Sequence, residues 1–532
     1  MVRGIDWRRG VVFVVAVLSV GVLCLRLMVV DTAGEEVMQL AQWQTLCCYG
    51  ALSLLMLSVA MMLCRDVIVS ALTWGVLGVV VIEAIHGFMQ LYGNTLSGHS
   101  LFSLTGSFYN PGPYGGFMSL GIPLALDRYF VERNRYVRML AVLCGLVVLS
   151  VLPATMSRTA WVAAVVAAVV VAVVHGRLRL SWRVVLSLVL GVVAVSVVLF
   201  VVFDFKVASA LGRFHLWYMS LLAIAEEPLF GYGTFASAYA EAQERYFSTF
   251  DLSTLTMHGA ACPDYAFCEY LHYAVVGGVP LVVVVVAMLV TVMVVGYRRG
   301  VAGLSGVMTA MGVFALASYP LHIPMFVAVL LLAVVGVLVI FIERARPLMF
   351  LFVGLALAGM MQASRMEPVV MANREWGRVR HLYHSKRYAL ARQEYEKILP
   401  QMIKNGVFLF EYGHILHNLA VPNLSNNILM RCCRHTGDPM VLNIIGKNYR
   451  QLESNDSAMY YYRKSACRLP SRMYPYYLMF DLQEAVGDIA GMRRTATIIE
   501  SPFRVESSAT REMRSEVQKR IDLIGKTSVI YE

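Results

Sequence analysis

Charge is scarce in this chain. Only 15% of its 532 residues are Asp, Glu, Lys or Arg, against about 25% in ordinary soluble domains. In their place stand hydrophobic residues, 58% of the total, giving a mean hydropathy of +0.64. One oversized soluble core does not explain this, because cores stop growing beyond about 250–300 residues. The same balance excludes disorder, collagen and a disulfide mini-scaffold. The first apolar run lacks an A-x-A exit and is too long for a signal-peptide h-region, so it reads as a retained anchor. No inverted repeat is visible, and Glu83 is one of few acidic residues inside an apolar run, which argues against a transporter or flippase.

The hydrophobic residues are concentrated before residue 363, in runs long enough to cross a bilayer. Candidate spans cover 11–30, 43–64, 67–89, 114–126, 139–156, 160–175, 184–203, 274–296, 301–319, 321–342 and 347–363. The expected fold class is all-α: a polytopic membrane helical bundle of about 11–12 spans, followed by an aqueous helical domain. The expected division is a membrane domain over 1–363, with an exterior loop at about 204–273, and a second domain over 364–532.

The basic residues orient this bundle. Arg3, Arg8 and Arg9 precede the first span and put the N-terminus in the cytoplasm. Arg128, Arg133, Arg135 and Arg138, then Arg177, Arg179 and Arg183, then Arg298 and Arg299, then Arg344 and Arg346 all fall on the same side. The acidic loop at about 204–273 falls outside. An odd number of spans then delivers the C-terminal domain to the exterior face. The net charge of +11 is accounted for by the interior loops and that domain, so no nucleic acid is implied.

Helical punctuation recurs in the C-terminal part at about every 32–36 residues. The stretches are YALARQEYEKILP from Tyr388, LSNNILMRCCRHTGDP from Leu424, SAMYYYRKSACRLP from Ser457 and a weaker DIAGMRRTATIIESP from Asp488. In the third, Ala458, Tyr462 and Ala466 share one helical face before Pro470 stops the helix. This is the pattern of tetratricopeptide-like repeats, or of another array of helical hairpins. His381, His384, His414 and His417 lack Cys or carboxylate companions at ligand spacing, so no metal site is expected there. Cys262 and Cys268, in CPDYAFC, are a pair that an oxidising compartment would allow to join; burial of Cys268 on a helix is the alternative.

Five stretches are candidates for chemistry. The Gly/Pro-rich loop GSFYNPGPYGG starts at Gly106. MSRTAW holds Arg158 between two spans, on the side where basic residues are disfavoured. GRFHLWYMSLLAIAEEPLFGYGTF starts at Gly212, with Arg213, Trp217 and Ser220 on one helical face. CPDYAFCEYLHYAVVGGVP carries Glu269 and His272 into a span, and SYPLHIP holds His322 at a turn. Arginines at a lipid interface suit a diphosphate, whose oxygens match the guanidinium fork. A nearby His or Glu could take a proton from a sugar hydroxyl. A porter with these residues would look similar.

In order and spacing these motifs resemble the O-antigen ligase and polymerase superfamily. GSFYNP resembles the family's G-[ST]-F-x-N-P loop, and MSRTAW its S-R-[GT]-A-W motif. The stretch from Gly212 resembles G-R-x-x-x-W followed by P-L-x-G-x-G, and EYLHYAVVGGVP resembles [NH]-[DE]-[YF]-L-Q followed by G-x-x-G. The C-terminal repeats and SYPLHIP resemble those of Bacteroidetes-type members. The resemblance implies a GT-C-like glycosyltransferase of the bacterial inner membrane with a periplasmic C-terminal domain. It would move a glycan from undecaprenyl diphosphate to an acceptor hydroxyl, without cofactor or metal. Arg158 and Arg213 match the arginines expected to hold the donor diphosphate, and Tyr109, Asn110 and Trp217 are expected to line the substrate site. Many members carry a histidine base just before [DE]-[YF]-L, where this chain has Tyr265, Phe267 and Cys268. His258, His272 and Glu269 are therefore the candidates for the catalytic base. The expected activity is O-antigen ligase acting on lipid A core, in lipopolysaccharide biosynthesis. Protein O-oligosaccharyltransferase and O-antigen polymerase are alternatives that differ in acceptor, and the repeat domain is a candidate site for a protein partner.

Overall fold

The computed structural model describes residues 7–28, 35–64, 67–177, 207–249, 259–341, 345–501 and 507–530. Among these the regular elements are helices, with no strand. The span expected at 184–203 and the base candidate His258 lie outside the described residues. By contacts the chain forms two compact units. The first comprises residues 1–205, 267–270 and 281–371, and the second 206–266, 271–280 and 372–532.

In the first unit, α1 (Trp7–Met28), α2 (Glu35–Leu63) and α3 (Ile68–Leu91) pack together. α1 buries Val12, Ala16, Ser19, Val20, Leu23, Cys24 and Leu27, a stripe at helical spacing. Gly75 of α3 admits Val20, which would stand 3.1 Å from a β-carbon there. The run expected as one span at 114–126 is instead two short helices, α4 (Pro111–Ser119) and α5 (Gly121–Val131), meeting at Leu120. α6 (Arg135–Val151) and α7 (Arg158–Val174) follow, joined by a 3-10 turn, Leu152–Thr155. α7 packs on α11 (Ala302–Phe314) through small residues. Ala160, Ala163, Ala164 and Ala167 are buried, and a β-carbon on Gly306 of α11 would sit 2.9 Å from Val171 of α7 and 2.6 Å from Pro123 of α5. Small faces of this kind let apolar helices approach closely where burial from water supplies no driving force.

α10 (Glu269–Arg298) is kinked at Gly278 and carries Pro280, while α12 (Pro324–Phe341) begins after a 3-10 turn, Pro320–His322. Beyond the kink α10 leaves Val283, Val284 and Met288 exposed, as a lipid-facing helix does. Among the described residues five helical segments are long and apolar enough to cross a membrane: Trp7–Met28, Leu40–Met61, Ile68–Leu91, Arg135–Thr155 and Glu269–Arg298. Arg158–Val174, Ala302–Phe314 and Pro324–Val339 are shorter apolar helices.

α13 runs from Ala345 to His384, so the boundary expected after residue 363 falls inside one helix. In the second unit consecutive helices pack each on the next: α14 (Tyr388–Met402), α15 (Gly406–Asn418), α16 (Pro422–Cys432), α17 (Pro439–Gln451), α18 (Asn455–Arg468), α19 (Tyr474–Ala485) and α20 (Ile489–Glu500), closed by α21 (Ser508–Ile530). Ala458, Tyr462 and Ala466 are buried on α18 as their spacing predicts. Asp488 caps α20 by accepting from Gly491 N at 2.8 Å. A buried cluster ties α13, α14 and α15 together: Glu411 accepts from Trp376 Nε1 at 2.9 Å, Tyr395 OH at 2.7 Å and Arg380 Nε at 2.7 Å. Every partner in it is satisfied, which a buried carboxylate requires.

The segment that the sequence groups with the membrane part contributes α8 (Val207–Glu226) and α9 (Phe235–Thr249) to this second unit. α9 packs on α18. Gln243 Nε2 donates to Ala261 O at 3.1 Å and to Arg468 O, while Glu244 pairs with Arg468 at 3.0 Å and Lys464 at 3.3 Å. An acidic loop thus gains its partners from basic repeat helices.

Candidate functional site

The loop GSFYNPGPYGG is held by side chains of α3. Gln90 Oε1 accepts from Thr105 N at 2.9 Å and Gly106 N at 2.8 Å. Buried Glu83 accepts from Ser107 Oγ at 2.5 Å and Ser107 N at 3.3 Å, and its carbonyl accepts from Tyr114 OH at 3.0 Å. The acidic residue inside an apolar run is therefore a loop anchor. Gly106, at φ +54°, is required here, since a β-carbon would lie 2.4 Å from the Tyr114 ring. The loop leads into α4, whose N-cap is Asn110, accepting from Gly112 N at 2.9 Å, with Pro111 in the first turn. Tyr109, just before it, is half-buried with φ +56°, a conformation that a non-glycine residue rarely adopts.

α4 lies against the turn that opens α7. A β-carbon on Gly115 would stand 2.6 Å from Thr155 Oγ1 and 2.8 Å from Ser157 Cβ. Thr155 Oγ1 accepts from Ser157 N at 3.3 Å, and Met156 takes the left-handed conformation between them. Arg158 is the first residue of α7, exposed, and makes no hydrogen bond or ion pair among the described residues. Trp161, one turn on, is anchored by donation from Nε1 to Leu152 O at 2.9 Å. An unpaired guanidinium at a helix N-terminus makes a region of positive potential open to an anion.

The same unit holds an acid–base pair. Glu269 opens α10, and its amide donates to Ala315 O at 2.9 Å. Its carboxylate is 3% exposed. That carboxylate accepts from Leu321 N and lies 3.2 Å from His322 Nδ1. Tyr270 OH donates to Gly312 O at 2.8 Å and fixes the same helix start. Phe314 and Phe326 stack at 5.9 Å beside Phe117 of α4, which meets Phe326 edge-on at 5.6 Å. These aromatic rings connect α4, which Asn110 caps, with α11 and α12, the helices that flank the turn holding His322.

In the second unit, Trp217 Nε1 donates to Ala266 O at 3.1 Å, which ties α8 to the chain that leads into α10. Arg213 is half-buried on the same helix. Ser220 is buried and turned to its own backbone, donating to Leu216 O at 2.8 Å. His215, bonded to Gln243 at 3.2 Å, is pushed below its ordinary pKa by burial, so it is neutral at pH 7. His272 is buried and stacked on Phe235 at 4.8 Å. Two motifs that are distant in sequence interlock here. Tyr232 N and Gly233 N donate to Val275 O and Val276 O at 2.9 Å, and Val279 N donates to Pro228 O at 2.8 Å. Gly278, at φ +81°, leaves room for this strap, since a β-carbon would lie 2.1 Å from Leu229 O.

No disulfide joins Cys262 and Cys268, although their spacing allows one. Burial pushes the Cys262 thiol up to about 12, which keeps it protonated and unreactive. No group of three or more His, Cys, Asp or Glu able to hold a metal occurs among the described residues.

The expected site residues are thus distributed as follows. Tyr109, Asn110, Arg158 and Glu269 belong to the first unit, and Arg213, Trp217 and His272 to the second. His322, which the sequence marks only as a residue at a turn, is the partner of Glu269.

Apolar helices of spanning length, small-residue packing and polar loops bound to helix starts define a polytopic helical membrane protein. Residues 140–286 match the O-antigen ligase (Wzy_C) family, which places that segment in the O-antigen ligase and polymerase superfamily. The matched segment includes Arg158, Arg213, Trp217, Glu269 and His272. No curated protein matches the chain.

Proposed function

We propose that this protein is a glycosyltransferase that moves a glycan from undecaprenyl diphosphate to an acceptor hydroxyl on the periplasmic face of the inner membrane, as an O-antigen ligase acting on lipid A core. The observation that carries this reading is the family match over the segment containing Arg158 and Glu269. We read 1–363 as the membrane transferase domain and 364–532 as a periplasmic tetratricopeptide-like solenoid.

In this mechanism the acceptor oxygen attacks the anomeric carbon. The bond from that carbon to the diphosphate oxygen breaks, and the lipid diphosphate leaves with the electron pair. Arg158 neutralises the charge that develops on the leaving group, at the helix start where it stands exposed without a carboxylate partner among the described residues. Arg213 carries the same role by the resemblance of its motif. Tyr109 and Asn110 shape the loop beside α7, and Trp217 steadies the approach to α10. The acceptor's proton goes to the Glu269–His322 pair. A carboxylate beside Nδ1 orients the imidazole, and Nε2 is then the nitrogen assigned to take the proton. His272, packed between aromatic rings, is better suited to holding the second unit together than to taking protons.

The transporter reading loses its main residue, since Glu83 is engaged by Ser107. The acceptor is tested by deleting the gene and examining surface lipopolysaccharide and glycoproteins side by side. Loss of O-antigen from lipopolysaccharide is expected. Loss of glycoprotein glycans alone would assign the protein O-oligosaccharyltransferase activity instead.

A further inference from the structure

The second unit contains a cavity of about 470 Å³ that glycan transfer does not use. It is built by α15, α17 and α19, the second helices of three successive pairs, which contribute His417, then Lys447 and Arg450, then Tyr474, Tyr477 and Asp481. Its size is that of a ligand site with room for several side chains.

The charges of this cavity do not cancel. Asp481 is taken by Arg520, whose Nη1 lies 2.7 Å from its carboxylate. His417 is held below its ordinary pKa by burial and by nearby Lys447, so it is neutral at pH 7. Lys447 donates to Tyr474 OH, with no carboxylate partner among the described residues. Arg450 is exposed and makes no ion pair among the described residues. The two cations are three residues apart on one helix and so share a face. A further polar group adjoins them. The Tyr462 hydroxyl is buried without a hydrogen-bond partner among the described residues, and its electrostatic neighbours are Arg450, Tyr474 and Asp481.

We propose that this cavity binds an acidic peptide segment of a partner protein. Its carboxylates meet Lys447 and Arg450, and its apolar side chains lie against the Tyr474 and Tyr477 rings. Charge complementarity selects an anion. The volume and the aromatic walls select a peptide over a lone phosphate, which would leave most of the space unfilled.

The test uses the full-length protein in nanodiscs and three probes: a fluorescein-labelled hexapeptide of alternating glutamate and leucine, its glutamine–leucine counterpart, and inorganic phosphate as competitor. The glutamate peptide is expected to bind, and the glutamine peptide to bind at least about tenfold more weakly. Lys447→Gln with Arg450→Gln should lose at least about tenfold in affinity at unchanged Tm. Arg450→Gln alone, at an exposed position, tests the same point if the double variant fails to fold. Lys397→Gln, on α14 and paired with Glu394, should bind as the wild type does. Any one of four results overturns the proposal: no binding of the glutamate peptide to the wild-type chain, equal binding of the glutamine peptide, undiminished binding by the variants, or full displacement by phosphate at the peptide's own concentration. None of these depends on transferase activity.

Discussion

At the scale of single residues, the proposal rests on Arg158 and Glu269 at helix starts and on His322 at a turn. Glu269 is nearly inaccessible, yet it has both a backbone donor and an imidazole within reach. A buried carboxylate keeps its charge only with such partners. General acid–base groups contribute about 10²–10⁴-fold to rate. His322→Ala and Glu269→Gln should therefore each lower transfer by about that range while donor binding persists. The check is initial rate against donor concentration. A fall in apparent affinity at unchanged maximal rate would instead make the pair part of the donor-binding machinery. His272→Phe preserves the ring stacked on Phe235 and should leave most of the rate in place.

At the scale of elements, glycine positions decide how motifs meet. The strap from Pro228 to Gly233 binds the first turns of α10 because Gly278 has no β-carbon and takes a positive φ. Gly278→Ala combines backbone strain with overpacking against the Leu229 carbonyl, each costing about 1–3 kcal/mol. It should lower the Tm of the purified protein by several degrees. Gly78→Ala, in α3 with open space around it, should not. Much of the helical layout is legible from hydropathy: α1, α3 and α6 lie where apolar runs of spanning length predict them, and α7 where a shorter run does. The start of α14 at Tyr388 and the buried face of α18 are legible from helical spacing. The split at Leu120 is not, because hydropathy averages across a one-residue break. Nor is the pairing of Glu269 with His322, which depends on two chain segments 53 residues apart meeting in space. The place of Arg158 at a helix start is legible, because a cation beside an apolar run breaks the charge pattern around it; its role is a proposal.

At the scale of the whole molecule, the scarcity of charge and its placement separate two environments. The first unit is built largely from apolar helices, whereas the second draws the acidic segment 206–266 onto basic repeat helices such as α18. The proposed orientation, with a cytoplasmic N-terminus and an odd number of spans, predicts that a periplasm-active reporter fused after Glu532 is active and one fused after Arg177 silent. Silence at Glu532 would mean that the span count is wrong by one.

The central claim, transfer of a glycan from a lipid diphosphate held by Arg158, is tested most directly by reconstitution. Purified wild-type protein and Arg158→Ala are incorporated into liposomes with undecaprenyl-diphosphate-linked glycan and lipid A core, and glycosylated core is measured by gel mobility and mass. The wild type should form product, and Arg158→Ala should form at least about a hundredfold less at equal incorporation. Undiminished product from Arg158→Ala would contradict the assigned role of Arg158, and no product from the wild type with its lipid-linked donor would contradict the activity itself.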